Sequence, residues 1–287
     1  MMTHAPVALI TGASSGIGLA AAKALAAQGW KIIATGRNPE RCAAAREQII
    51  AASSSGDVTM ITGNLALLAE ARRIATEVQQ LTDRLNLLAN NAGGMAKEKV
   101  ITSEGLEENF AANHLGHFVL TRELLPLLQK TAAASGPGSV RVINTASDAG
   151  EMIPGFNLED MQNLQNWNYG MAYCTGKLAN VLFTKALGKR VKKDGIVVHA
   201  FHPGIVDSHF FDCFDADAKA QVAAKGMQST EEGASTLIWL ATSAEAQENG
   251  GYFANSAPRE PHPWASDETI VERFWLESEK LVASAEN

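Results

Sequence analysis

The run V-A-L-I-T-G-A-S-S-G-I-G at residues 7–18 decides the fold. Its first five residues form an apolar, β-rich stretch of the kind a sheet covered on both faces uses for a strand. It passes directly into a turn carrying Gly12, Gly16 and Gly18, and then into an alanine-rich helical segment. Glycines at such a strand-to-helix turn let the backbone approach a diphosphate, and the helix N-terminus presents unpaired N–H groups at the positive end of its dipole. An ordinary glycine-rich turn looks the same in isolation, so the rest of the chain has to separate the two.

Outward from that turn, short β-rich runs alternate with longer helical patterns. The runs are K-I-I-A-T (31–35), V-T-M-I-T (58–62), L-N-L-L-A (85–89), V-R-V-I-N-T (140–145) and I-V-V-H-A-F (196–201). The alternation predicts an α/β fold, a single Rossmann-type doubly wound parallel sheet with helices on both faces. Asn38 before Pro39 reads as a helix N-cap, and Ser229 with Glu232 as a capping box. The expected division is a single Rossmann-fold domain over 1–257, including the longer loops, and a C-terminal linker and helix over 258–287. That helix is read from the amphipathic set Ile270, Val271, Phe274, Trp275, Leu281 and Val282. Two longer stretches, about 151–170 and 204–228, interrupt the alternation and are expected to be substrate loops.

Hydrophobic residues make up 46% of the chain, enough for a packed core. The formal charge of −7, with Lys and Arg scattered rather than striped, argues against nucleic acid or an anionic membrane as a partner. Cys42, Cys174 and Cys213 include no C-x-x-C pair, and no histidine spacing suits zinc, so neither a disulfide framework nor a metal site is expected. The first strand starts too early for a signal peptide and no apolar stretch approaches bilayer length, so the expected location is the cytoplasm.

An NAD-specific site places an acid at the end of the second strand to bind the ribose 2′-hydroxyl. This chain reads A-T-G-R-N there: Thr35 and Gly36 are not acidic, and Arg37, followed by Asn38, is available for a 2′-phosphate, so NADP(H) is favoured over NAD(H). A solvated loop arginine is the alternative. Ser14, Ser15 and Ile17 fill the glycine turn, while Asn64 and Leu65, and then Asn91, Ala92 and Gly93, end the third and fourth strands, where ligands of parallel sheets sit.

Tyr173 and Lys177 stand four apart and share a helix face. Carbonyl reduction needs a hydride and a proton, but a phenol with a pKa near 10 exchanges protons poorly at neutral pH. A cation about 5 Å away at an effective dielectric of about 20 is worth roughly 3 kcal/mol, or about two pKa units, which brings the phenol toward working pH. Ser147, just past the fifth strand, can donate to the substrate oxygen as charge builds on it.

In this order the elements resemble the short-chain dehydrogenase/reductases: T-G-x-x-x-G-x-G at 11–18, N-N-A-G at 90–93, Asn113 in A-N-H-L-G-H-F, Ser147 in N-T-A-S-D, Tyr-x-x-x-Lys at 173–177 and H-P-G at 202–204. N-H-L-G-H-F and K-L-A-N-V-L-F-T are most similar to the retinol dehydrogenase branch and its bacterial relatives. The resemblance implies that Tyr173 and Lys177 also contact the cofactor, Lys177 holding the nicotinamide ribose, and that Asn113 positions a water in a proton relay with Lys177. It implies too that Pro203, Gly204 and Val206 line the cofactor, and that the protein forms a homodimer or homotetramer.

Two features depart from the family pattern. Ser147 and Tyr173 are separated by an unusually long insertion, and Asn64 stands where an acid is usual. Met95, Asp148, Met152 and Phe210 are expected substrate contacts, and with Ile153, Phe156, Trp167, Phe211 and Phe214 they suggest an apolar or bulky carbonyl or alcohol. Packing of these loops onto the core is the equal alternative. Cys174 reads as a packed helix cysteine and His202 and His209 as loop or core residues. The rival functions are an NADPH-dependent C=C reductase and a non-catalytic nucleotide-sensing scaffold.

Overall fold

A computed structural model describes residues 5–208, 210, 214, 217, 220, 224 and 226–285; Cys213 lies outside them. The first half alternates β1 (Val7–Ile10), α1 (Gly16–Ala27), β2 (Lys31–Gly36), α2 (Pro39–Ala52), β3 (Val58–Thr62), α3 (Leu68–Leu81) and β4 (Leu87–Asn90). A short α4 (Glu108–Phe110) then runs through a π-helical turn (Ala111–Leu115) into α5 (Gly116–Ser135) and β5 (Val140–Thr145). After a 3-10 turn (Asp148–Glu151) come α6 (Tyr169–Val191), β6 (Ile196–His202), α7 (Thr230–Thr242), β7 (Gly251–Ala254), β8 (Ala257–Pro258) and α8 (Glu268–Ser284).

The sheet order is β3-β2-β1-β4-β5-β6-β7-β8, parallel except for the β7–β8 pair. Chain order reverses between β1 and β4, which opens a crevice at the carboxyl ends of these strands. Alternation along each strand feeds two cores, as side chains two residues apart share a face. Val7, Leu9, Leu88, Val142 and Val198 join one core with α3, α5, α6 and α8. Ala8, Ile10, Leu87, Ile143 and Phe201 join the other with α1, α2 and α7. Both faces are therefore dry, as the doubly wound expectation requires.

The helix signals act as expected: Asn38 Oδ1 accepts from Arg41 N at 2.8 Å, and Ser229 and Glu232 form a reciprocal capping box. β4 begins two residues later than expected, because the Leu85 N–H donates to Thr131 Oγ1 at 2.9 Å. β7 and β8 add an edge that the alternation of apolar runs does not predict. The C-terminal helix α8 closes the first core, with Phe274 fully buried and the Trp275 ring 4.8 Å from that of Phe118. The Arg190 guanidinium covers Trp275 at 4.1 Å. No helix among the described residues is long and apolar enough to cross a membrane.

Candidate active site

The first strand-to-helix turn has the shape its glycines imply. Gly12 adopts φ +67°, and a Cβ there would meet Ala92 Cα at 2.8 Å; a Cβ on Gly18 would meet the Gly12 carbonyl oxygen at 2.5 Å and Asn91 Nδ2 at 2.6 Å. Side chains cap α2, α7 and α8, but Ser15 at the start of α1 makes no such bond, so the first-turn N–H groups keep no side-chain partner from it. Ser14 packs beside Gly36, and Arg37 is exposed at the end of β2 with no ion pair among the described residues. Asn38 is occupied with its helix cap and Asn64 Oδ1 accepts from Ala66 N at 3.1 Å, while Leu65 is buried. Asn91 bridges the crevice, donating to the Thr11 carbonyl at 3.0 Å and accepting from Thr145 Oγ1 at 3.3 Å.

Gly18→Ala therefore sets a methyl group against backbone at the tightest point of the turn. The expected result is a loss of about 1–3 kcal/mol in stability and a roughly tenfold weaker Kd for a nicotinamide dinucleotide, read by thermal melting and titration calorimetry.

Opposite this turn, α6 opens under an Asn168 cap that accepts from Gly170 N and Met171 N. Tyr173 and Lys177 follow on its first turns, with Lys177 Nζ 5.5 Å from the Tyr173 ring centroid. Lys177 is 4% exposed and donates to the Thr145 carbonyl at 3.2 Å, which also accepts from Asn180 Nδ2 at 3.0 Å. Burial lowers the Lys177 pKa to about 8, and no carboxylate among the described residues pairs with it to oppose that shift.

Asn113 sits in the π-helical turn, a local widening found often at functional sites. Its Nδ2 donates to the carbonyls of Gly94 and Asn109, each at 2.8 Å. Gly176 brings the two helices together here, since a Cβ on it would lie 3.1 Å from Asn113 Cβ. A Cβ on Gly93 would lie 2.5 Å from Asn113 Oδ1 and 3.3 Å from Lys177 Nζ, so the N-N-A-G turn, Asn113 and Lys177 converge.

Ser147 begins the 3-10 turn, where its Oγ accepts from Ala149 N at 3.2 Å and, among the described residues, its proton goes to no acceptor. Gly150 packs this turn onto the backbone of α6 at Leu178. Phe210 lies against Tyr173, ring centroids 5.0 Å apart, and 6.4 Å from Phe214. Pro203 and Gly204 are half-buried past β6, and buried Val206 bridges to Gln228. His209 and Phe211 lie outside the described residues.

The insertion divides its apolar residues. Ile153 and Phe156 are buried in the core, Phe156 against Trp264 at 5.3 Å, whereas Met152 is 81% exposed and Met95 half-buried. Trp167 Nε1 donates to the buried Glu107 at 3.0 Å and Gln162 Oε1 accepts from Glu107 N at 2.7 Å, tying the insertion to the cap that leads to Asn113. The Asp148 carboxylate turns to Arg259 at 2.9 Å, with His202 Nε2 at 3.4 Å and the Tyr252 hydroxyl at 3.3 Å. Burial raises the Cys174 thiol pKa, which suits a packed cysteine and not a nucleophile.

Comparison with known proteins shows which family the chain resembles. The family model for short chain dehydrogenases matches residues 6–219. Human (Homo sapiens) retinol dehydrogenase 13 is 34% identical over 283 residues, covering 96% of this chain and 83% of that protein. Retinol dehydrogenase 14 of Mus musculus is 33% identical over 298 residues, covering 98% and 87%. Among solved structures, the Pseudomonas aeruginosa RhlG/NADP active-site complex is 29% identical with a TM-score of 0.71, covering 88% of this chain and 94% of that one.

Proposed function

The chain belongs to the short-chain dehydrogenase family, and from that premise we propose that it is an NADP(H)-dependent oxidoreductase interconverting a carbonyl and an alcohol on an apolar or bulky substrate, with Tyr173 as general acid and base. The observation that carries this reading is the placement of Lys177, buried without a counter-ion among the described residues and 5.5 Å from the Tyr173 ring. Lys177 supports the phenolate electrostatically, so the Tyr173 hydroxyl can give its proton to the substrate oxygen or take it back. Ser147 Oγ donates to that same oxygen. Asn113, held beside Lys177 in the π-helical turn, orders the groups behind the lysine. The nicotinamide, when bound, supplies or accepts the hydride.

The crevice residues suit such a cofactor. The start of α1, without a side-chain cap, would hold the diphosphate with Gly12, Ser14, Ser15, Gly16, Ile17 and Gly18. Asn91, Ala92 and Gly93 with Pro203, Gly204 and Val206 would line the ribose and nicotinamide. Arg37, exposed and without an ion pair among the described residues, would take a 2′-phosphate, a preference supported by the NADP in the similar Pseudomonas aeruginosa complex. Phe210 against Tyr173 and the retinol named in two relatives support an apolar substrate.

Arg37→Asp tests the cofactor assignment. It is expected to reverse the NADPH/NADH preference in kcat/KM by roughly 100-fold, a loss of about 3 kcal/mol for the phosphate-bearing form. An unchanged ratio would remove Arg37 from the site. A screen of ketones and aldehydes is expected to favour apolar ones, and activity confined to small polar ketones would contradict the pocket assignment.

A further inference from the structure

His117, one helical turn beyond Asn113, is 1% exposed, and its two ring nitrogens reach two different parts of the site. Nδ1 lies 3.3 Å from the Asn113 carbonyl oxygen and Nε2 lies 2.9 Å from Thr11 Oγ1. A carbonyl only accepts, so Nδ1 carries the proton and Nε2 accepts from the Thr11 hydroxyl, whose other acceptor, the Ala89 carbonyl, is longer at 3.2 Å. Thr11 Oγ1 in turn accepts from the N–H groups of Asn91 and Ala92, each at 2.9 Å. One neutral imidazole thus joins the glycine turn, the N-N-A-G turn and the bend that carries Asn113. Burial, reinforced by the charge of Lys177, holds its pKa near 4, so the ring stays neutral at working pH.

We propose that His117 is a positioning residue that fixes the dinucleotide turn and the Asn113 bend in one register, so that nucleotide binding and the placement of Asn113 beside Lys177 are coupled through a single side chain. The inference rests on the reading of Tyr173 and Lys177 as the proton-transfer pair. Its consequence is a division of labour between the two ring nitrogens: Nδ1 serves the reaction and Nε2 serves nucleotide binding.

Asparagine and glutamine each preserve one half of this arrangement. His117→Asn places an amide N–H near the Nδ1 position, while His117→Gln places an acceptor near Nε2. His117→Asn is expected to raise the NADPH Kd more than it lowers kcat, and His117→Gln to do the opposite, with the two shifts separated by about fivefold or more in each variant. A histidine that serves packing alone would lower Tm in both variants without splitting kcat from Kd, and that result overturns the proposal. Nitrogen NMR of the unmodified protein labelled on histidine gives a second reading that does not depend on any variant folding. One ring protonated at Nδ1 should show its Nε2 resonance moving when NADPH is added, and a resonance unmoved at saturation overturns the coupling. Tyr173→Phe measured alongside separates the two ideas: an active Tyr173→Phe defeats the proton-transfer reading, whereas an inactive one with unsplit His117 variants defeats only this inference.

Discussion

Lys177→Met is expected to give a protein that melts several degrees higher than the parent and turns over about 100-fold or more slowly. The two effects share a cause. Burial lowers the Lys177 pKa from 10.5 to about 8, so the unfolded chain holds this proton more tightly than the folded one. Between about 8 and 10.5 the unfolded state therefore binds more protons and stability rises with pH; below 8 the full penalty applies, on the order of 3 kcal/mol. Methionine fills a similar volume without the charge. The lost bond to the Thr145 carbonyl returns about 1 kcal/mol of the gain, and that carbonyl keeps Asn180 as a donor. Calorimetry at neutral pH should show the higher Tm, and the rise in stability between pH 8 and 10.5 should flatten. A lower Tm with the slope unchanged would mean that Lys177 carries no such penalty.

Tyr173→Phe is expected to lower kcat/KM by roughly 1,000-fold while leaving the NADPH Kd within about threefold. The substitution removes one hydroxyl, leaves the ring that Lys177 and Phe210 face, and touches no glycine of the nucleotide turn. A general acid absent from the site costs between about 100- and 10,000-fold, because the alkoxide left by hydride transfer has no positioned proton. In the proposed mechanism Ser147 still donates to that oxygen, which keeps the expected loss short of the full catalytic effect. Equal losses in kcat/KM and nucleotide affinity would instead assign Tyr173 to binding.

Most of the sheet was legible because each strand is short, apolar and followed by a helix signal. β7 was not, since Gly251–Ala254 is four residues long and is recognisable only by its pairing with β6. Tyr173, Lys177 and Ser147 stand out because carbonyl reduction calls for those residue types, whereas Asn113 is singled out only by the family resemblance of A-N-H-L-G-H-F. The fate of the insertion could not be read: Met152 and Ile153 are neighbours of similar polarity, yet one is 81% exposed and the other 5%. Asp148 shows the same limit, as its partner Arg259 comes from the far edge of the sheet. His117 stands within N-H-L-G-H-F with no role legible there, because its second partner, Thr11, is 106 residues away. The spacing of four to Asn113 was the one available signal.

The most direct measurement mixes the NADPH complex of the parent protein, and of Tyr173→Phe, with the same apolar ketone under single-turnover conditions and follows NADPH loss. Rapid loss in the parent and loss slower by roughly 1,000-fold in the variant, at equal nucleotide occupancy, is the predicted result. Equal rates in the two proteins would contradict the assignment of Tyr173 as the proton donor.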